Sequence, residues 1–173
     1  MDPVQSIGLG ESLFRLGLAA AIGAVIGVDR DLRGKPAGVR TLSLVTLGSA
    51  LLTLTGTAMT SADGRSDPSV LSRIIQGIMA GIGFLGGGCI LRDEARLHVQ
   101  GLTTAAAVWV SATLGIVCGA GSWRIALLAL GISMVVLVGG APLEHCVERL
   151  TGSDRRHSQQ DKGPDSPNSR TGG

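Results

Sequence analysis

Residues 41–60 read TLSLVTLGSALLTLTGTAMT, and none of them carries a charge. Residues 102–120, LTTAAAVWVSATLGIVCGA, are equally uncharged. Wound as α-helices at about 1.5 Å per residue, runs of this length reach about 30 Å, the thickness of a bilayer's hydrocarbon core. Two such runs in one short chain predict membrane-spanning helices. Working outward from them, three more apolar segments appear, giving spans at about 9–28, 41–60, 70–91, 102–120 and 125–143. The first holds Arg15 near its start, where a long side chain can snorkel to the membrane interface. The predicted fold is all-α: an integral membrane bundle of about five transmembrane helices in one domain over residues 1–143. Residues 144–173 form a polar cytoplasmic tail, expected to be disordered from about 151 because nothing apolar follows Leu150.

Composition fits that reading. Of 173 residues, 45% are hydrophobic and only 16% charged, against about 25% charged in a soluble domain. The aromatic residues are Phe14, Phe84, Trp109 and Trp123, whereas glycines number 27. A soluble core draws much of its buried area from aromatics; membrane helices use small residues that let backbones approach closely. A net charge of +2 is too small to imply a nucleic-acid partner. Cys89, Cys118 and Cys146 form no CxxC and read as free thiols. Ala19-Ala20-Ala21 resembles a signal-peptidase site, yet the first eleven residues carry Asp2 and Glu11 and no Lys or Arg, so the first helix is expected to stay uncleaved.

Lys and Arg set the orientation. Arg30, Arg33, Lys35 and Arg40 lie in the first loop, Arg92 and Arg96 in the third, and five more in the tail, eleven on one side. Arg15, Arg65, Arg73 and Arg124 make four on the other. The expectation is a multi-pass protein of the bacterial inner membrane with its N-terminus outside and its C-terminus cytoplasmic.

Two patterns bear on packing. Gly23 to Gly38 and Gly86 to Gly101 open similar helix–loop–helix passages 63 positions apart, which predicts two related hairpins of the same orientation unless the likeness is a coincidence of Gly- and Ala-rich helices. Glycines also recur four apart: Gly23 and Gly27, Gly77 and Gly81, Gly83 and Gly87, Gly115 and Gly119. Each pair notches one helical face and is expected to be a packing seam within the chain, with homo-oligomerisation as the other use. Five glycines crowd residues 81–88, each costing about 0.8–1 kcal/mol relative to Ala in an aqueous helix. Such a run either packs closely or unwinds to line a site.

Chemistry-bearing residues are few. Asp29 is read as a cation ligand, as a partner of Arg40 or Arg92 that fixes the hairpins, or as a solvated charge. Thr41, Thr103 and Thr104 stand where the second and fourth helices open, placed to cap free backbone N–H groups, and with Arg30, Arg33, Lys35 and Arg40 they make a basic pole able to meet anionic headgroups or an acidic partner. Gln76 is the candidate for an interhelical hydrogen bond. No Ser/His/Asp set, HExxH, Walker loop or Rossmann fingerprint is present. The GxGxxG at Gly81 to Gly86 lies among apolar residues mid-helix and is no nucleotide site. Enzyme and cofactor are not expected.

Several of these residues also form a set. Gly27-Val28-Asp29-Arg30, Lys35-Pro36-Ala37-Gly38-Val39-Arg40-Thr41, Asp67-Pro68-Ser69, Gln76-Gly77-Ile78, Gly81-Ile82-Gly83-Phe84-Leu85-Gly86 and Gly101-Leu102-Thr103-Thr104-Ala105-Ala106 resemble, in order and spacing, the MgtC/SapB family of bacterial inner-membrane proteins. The resemblance covers roughly residues 23–121. It implies a bundle of about five helices. It also implies a role in magnesium homeostasis, as a non-enzymatic regulator acting through other membrane proteins such as the F-type ATP synthase. The alternative is a Mg²⁺ or other ion path between the hairpins. It marks Asp29, Arg30, Pro36, Gly38, Arg40, Thr41, Gln76, Gly81, Gly83, Phe84, Gly86, Gly101, Thr103 and Thr104 as family-motif positions. The family branch that acts on the synthase carries a folded cytoplasmic domain after the membrane part; about 30 polar residues are not expected to form one. Leu42 stands where the family often has His, and Gly87 where Ala is common.

Overall fold

A computed structural model of the protein describes residues 8–62, 68–93 and 98–140. Its helices are α1 (Leu9–Leu32), α2 (Val39–Ala62), α3 (Pro68–Gly88), α4 (Leu102–Gly119) and α5 (Trp123–Gly140). All five are long and apolar enough to cross a membrane. The chain divides into two units, residues 1–133 and 134–173; in the second, residues 134–140 are described and are helical. The expected tail and Cys146 fall outside the described residues.

Helix is the form in which an apolar segment satisfies its own backbone without water. In α2 the hydroxyls follow the same rule: Thr46, Thr53, Thr55, Thr57 and Thr60 each donate to a carbonyl three or four residues back. That is why a stretch with so many threonines still reads as a span.

The ends differ from expectation in three places. Helix α1 continues past residue 28 to Leu32, so Asp29 and Arg30 lie inside it and not in a loop. Helix α3 stops at Gly88 and does not reach Leu91. Between α3 and α4 stands a small antiparallel ladder of β1 (Leu91–Asp93) and β2 (His98–Gln100), pairing Leu91 with Gln100 and Asp93 with His98. Three-residue strands are too short to show a period of two against such charged sequence. Gly101, at φ +92°, turns this ladder into α4; a Cβ there would collide with the Cys89 carbonyl.

Two glycine pairs fix the inner packing. A Cβ on Gly23 would run into Leu42, Ser43 and Thr46, and one on Gly27 into Gly38 and Val39. As residue numbers rise in α1 they fall in α2, so these helices are antiparallel. Gly115 meets Thr46 and Ser49 while Gly119 meets Ala50 and Thr53, so α2 and α4 run parallel. Around these seams Ile22, Ile26, Leu42, Val108, Ala112 and Cys118 are almost wholly buried. Helix α3 lies against α4 and α2 through Ile78, Ile82 and Gly86, one row at a spacing of four. Here the expectation fails: Gly77, Gly81, Gly83 and Gly87 have nothing within 4 Å of a would-be Cβ. They form no seam among the described residues, and the glycine run is continuous helix, not an unwound segment.

The two hairpins share direction and register. Gly23 packs against Leu42, and at Gly86, 63 positions on, a would-be Cβ would lie 3.7 Å from that of Ala105, which is 63 positions beyond Leu42. The first contact is backbone-close and the second is ordinary van der Waals contact.

Candidate functional site

Three helix ends meet at one pole: the C-terminus of α1 and the N-termini of α2 and α4. Arg30 sits among them, 2% exposed, and its Nη2 donates to Oγ1 of Thr104, itself 2% exposed. This bond ties the first hairpin to the second. A charge so buried is stable only if partnered, and the partnering is incomplete: Nε of Arg30 has no acceptor. Oδ1 of the neighbouring Asp29 accepts from Nε of Arg33 at 2.8 Å, one helical turn on, while its Oδ2 is buried without a partner among the described residues. Asp29 therefore pairs with Arg33 and not with Arg40; the side chain of Arg92 lies outside those described.

Asp31, which sequence reading passed over, organises the turn. Its Oδ2 accepts from the Val39 backbone N–H at 3.0 Å, capping α2 from a distance of eight residues. A capping interaction of this kind contributes about 1 kcal/mol. The same carboxylate occupies the space a Cβ on Gly38 would need. Glycine at 38 leaves that room; the positive φ values of this turn fall instead on Gly34 and on Ala37, both at +61°. Pro36 stands just before Ala37. Capping by the threonines is corrected accordingly. Thr41 lies inside α2 and is exposed, α4 starts from Gly101 without a side-chain cap, and Thr104 serves Arg30. Thr103 is exposed.

The opposite pole repeats the arrangement. Arg15 pairs with Glu11 at 2.7 Å and donates to the Gly119 carbonyl at 3.0 Å, a cation on the C-terminal end of α4. Arg15 and Arg30 are 15 residues apart, as are Thr104 and Gly119. Each interval spans about 22 Å of helix, so the two arginines hold α1 against α4 at both ends. Of the remaining candidates, Gln76 donates within its own helix to Ser72 at 3.3 Å and makes no interhelical bond among the described residues. Phe84 is 83% exposed. Arg40 and Thr41 line one end of a groove between α2 and α3 whose floor includes Gly81; Gly83 is outside it. No group of three or more His, Cys, Asp or Glu able to hold a metal ion occurs among the described residues.

The model of the MgtC family matches residues 16–146. The chain belongs to the MgtC family. Among its relatives, Protein SrpB of Synechococcus elongatus is 42% identical over 132 residues, covering 73% of this chain and 72% of that protein. Protein MgtC of Salmonella typhimurium is 38% identical over 132 residues, covering 76% of this chain but 52% of that protein. No solved structure matches. The MgtC-family segment takes in the Arg30–Thr104 contact and Gly119, and begins one residue after Arg15.

Proposed function

We propose that this MgtC-family protein is a non-enzymatic regulator of the bacterial inner membrane, linked to adaptation to low Mg²⁺ and acting through contacts with other membrane proteins. The observation that carries the reading is the closed seam between α2 and α4, where the two hairpins meet. Gly115 and Gly119 bring α4 onto the backbone of α2 at Thr46 and Ala50, which leaves no room for a hydrated ion. Mg²⁺ keeps several waters and wants carboxylate oxygens, and among the described residues the one buried carboxylate oxygen without a partner is Oδ2 of Asp29. A Mg²⁺ or other ion path between the hairpins, the alternative, has that packing against it along α2 and α4, and the groove between α2 and α3 offers no carboxylate.

The first test is reconstitution of the full chain in liposomes loaded with a Mg²⁺-sensitive dye. No flux above that of empty liposomes is expected; protein-dependent entry of Mg²⁺ would overturn the proposal. A deletion strain is expected to grow poorly only at limiting Mg²⁺, and the F-type ATP synthase is the first partner to seek by co-purification from such cells.

A further inference from the structure

We propose that the groove between α2 and α3 holds one anionic phospholipid of the cytoplasmic leaflet. Its phosphate lies at Arg40 and Thr41, and an acyl chain runs along the groove. The groove encloses about 720 Å³, is lined by apolar side chains and by Gly48, Gly77 and Gly81, and is polar only at the Arg40 end and at Ser49. The three glycines have nothing within 4 Å of a would-be Cβ, so the space is unfilled by this chain's described residues. An open trough beside two membrane helices is filled by whatever the bilayer supplies.

Charge and length select the occupant. The side chains of Arg40 and Thr41 are exposed and have no hydrogen-bond or ion-pair partner among the described residues. In the first turn of α2, the Val39 N–H goes to Asp31 and that of Leu42 to the Gly38 carbonyl. The two amides between them have no acceptor within the helix. A guanidinium, a hydroxyl and a helix N-terminus together suit a phosphate. From Arg40 to Leu52 the helix rises about 18 Å, close to the roughly 15 Å of one leaflet's hydrocarbon. A protein helix docked in the same trough would meet the unpaired Arg40 with no need for an anion. The excess of Lys and Arg at this pole places it at the cytoplasmic leaflet, where anionic lipids concentrate.

The test is native mass spectrometry of the full chain in detergent, titrated with phosphatidylglycerol or phosphatidylcholine. The wild type is expected to retain one phosphatidylglycerol through delipidation and to prefer it over phosphatidylcholine by about tenfold. Arg40→Gln should abolish the preference while leaving weak retention of both lipids, and Arg40→Lys should restore part of it. Gly81→Leu, which fills the trough without touching protein, should remove retention of both; Gly81→Ala gives a milder reduction should Leu disturb folding. Unchanged selectivity in Arg40→Gln, or unchanged retention in Gly81→Leu, overturns the proposal. So does a lipid-free dimer that Gly81→Leu converts to monomer, because the trough then holds a second copy.

Discussion

Arg30 and Asp31 are adjacent, yet they do opposite work at the same pole: one reaches inward to Thr104 on α4, the other outward to the start of α2. Sequence reading recognised Arg30, Gly38 and Thr104 as a set but could not say why. Gly38 is not there for a left-handed turn, since Gly34 and Ala37 take the positive φ; it is there because the Asp31 carboxylate fills its side-chain space. That argument makes a double-mutant prediction. Asp31→Ala should cost about 1 kcal/mol through loss of the cap. Gly38→Ala should cost at least as much, because the added methyl displaces the same carboxylate. The two together should cost little more than either alone, a coupling of about 1 kcal/mol. Unfolding in detergent, followed by circular dichroism, measures it; strictly additive costs would show that Gly38 is needed for another reason. Asp31 itself was illegible beforehand: a cap supplied from eight residues upstream has no local pattern.

At the scale of elements, the five spans were legible because apolar length and the absence of charge survive any error about packing. The seams were half legible. Pairs of glycines four apart say only that a helix has a notch; which notch is filled depends on neighbours far along the chain. Gly23 and Gly27 in α1 and Gly115 and Gly119 in α4 are filled by α2, whereas the glycines of α3 stand open. The same holds for Arg15: its place near a helix end was legible, but its contact with the end of α4, 104 positions on, was not. The difference between filled and open notches is testable. Gly115→Leu must push α4 off the Thr46 backbone, and loss of folded protein in the membrane is expected. Gly83→Leu meets nothing and should leave abundance and unfolding temperature near wild type, with Gly83→Ala stabilising by up to about 1 kcal/mol through helix propensity. Equal damage from Gly83→Leu and Gly115→Leu would mean that α3 has a partner helix of its own.

For the molecule as a whole, the two poles of the α1–α4 pair differ in charge, and that difference makes a prediction about orientation. Among the described residues the Arg30 pole carries Arg30, Arg33, Lys35 and Arg40, and the Arg15 pole carries Arg15, Arg73 and Arg124. Not all of these count equally for insertion. Arg15 is paired with Glu11 and with the α4 terminus, and Arg124 lies 5.2 Å from the centre of the Trp123 ring, an arrangement suited to a membrane interface. Arg33 pairs with Asp29 in a contact worth about 0.3–0.5 kcal/mol, while Lys35 and Arg40 have no side-chain partner among the described residues. With an odd number of spans the ends must fall on opposite sides. A fluorescent protein fused after Gly173 should therefore mature and fluoresce in the cytoplasm, and alkaline phosphatase fused there should be inactive. Phosphatase inserted between α2 and α3 should be active. The reverse pattern at both points would invert the molecule, placing Arg40 and its groove in the outer leaflet. Activity of phosphatase at both points would instead mean that the fifth helix does not cross.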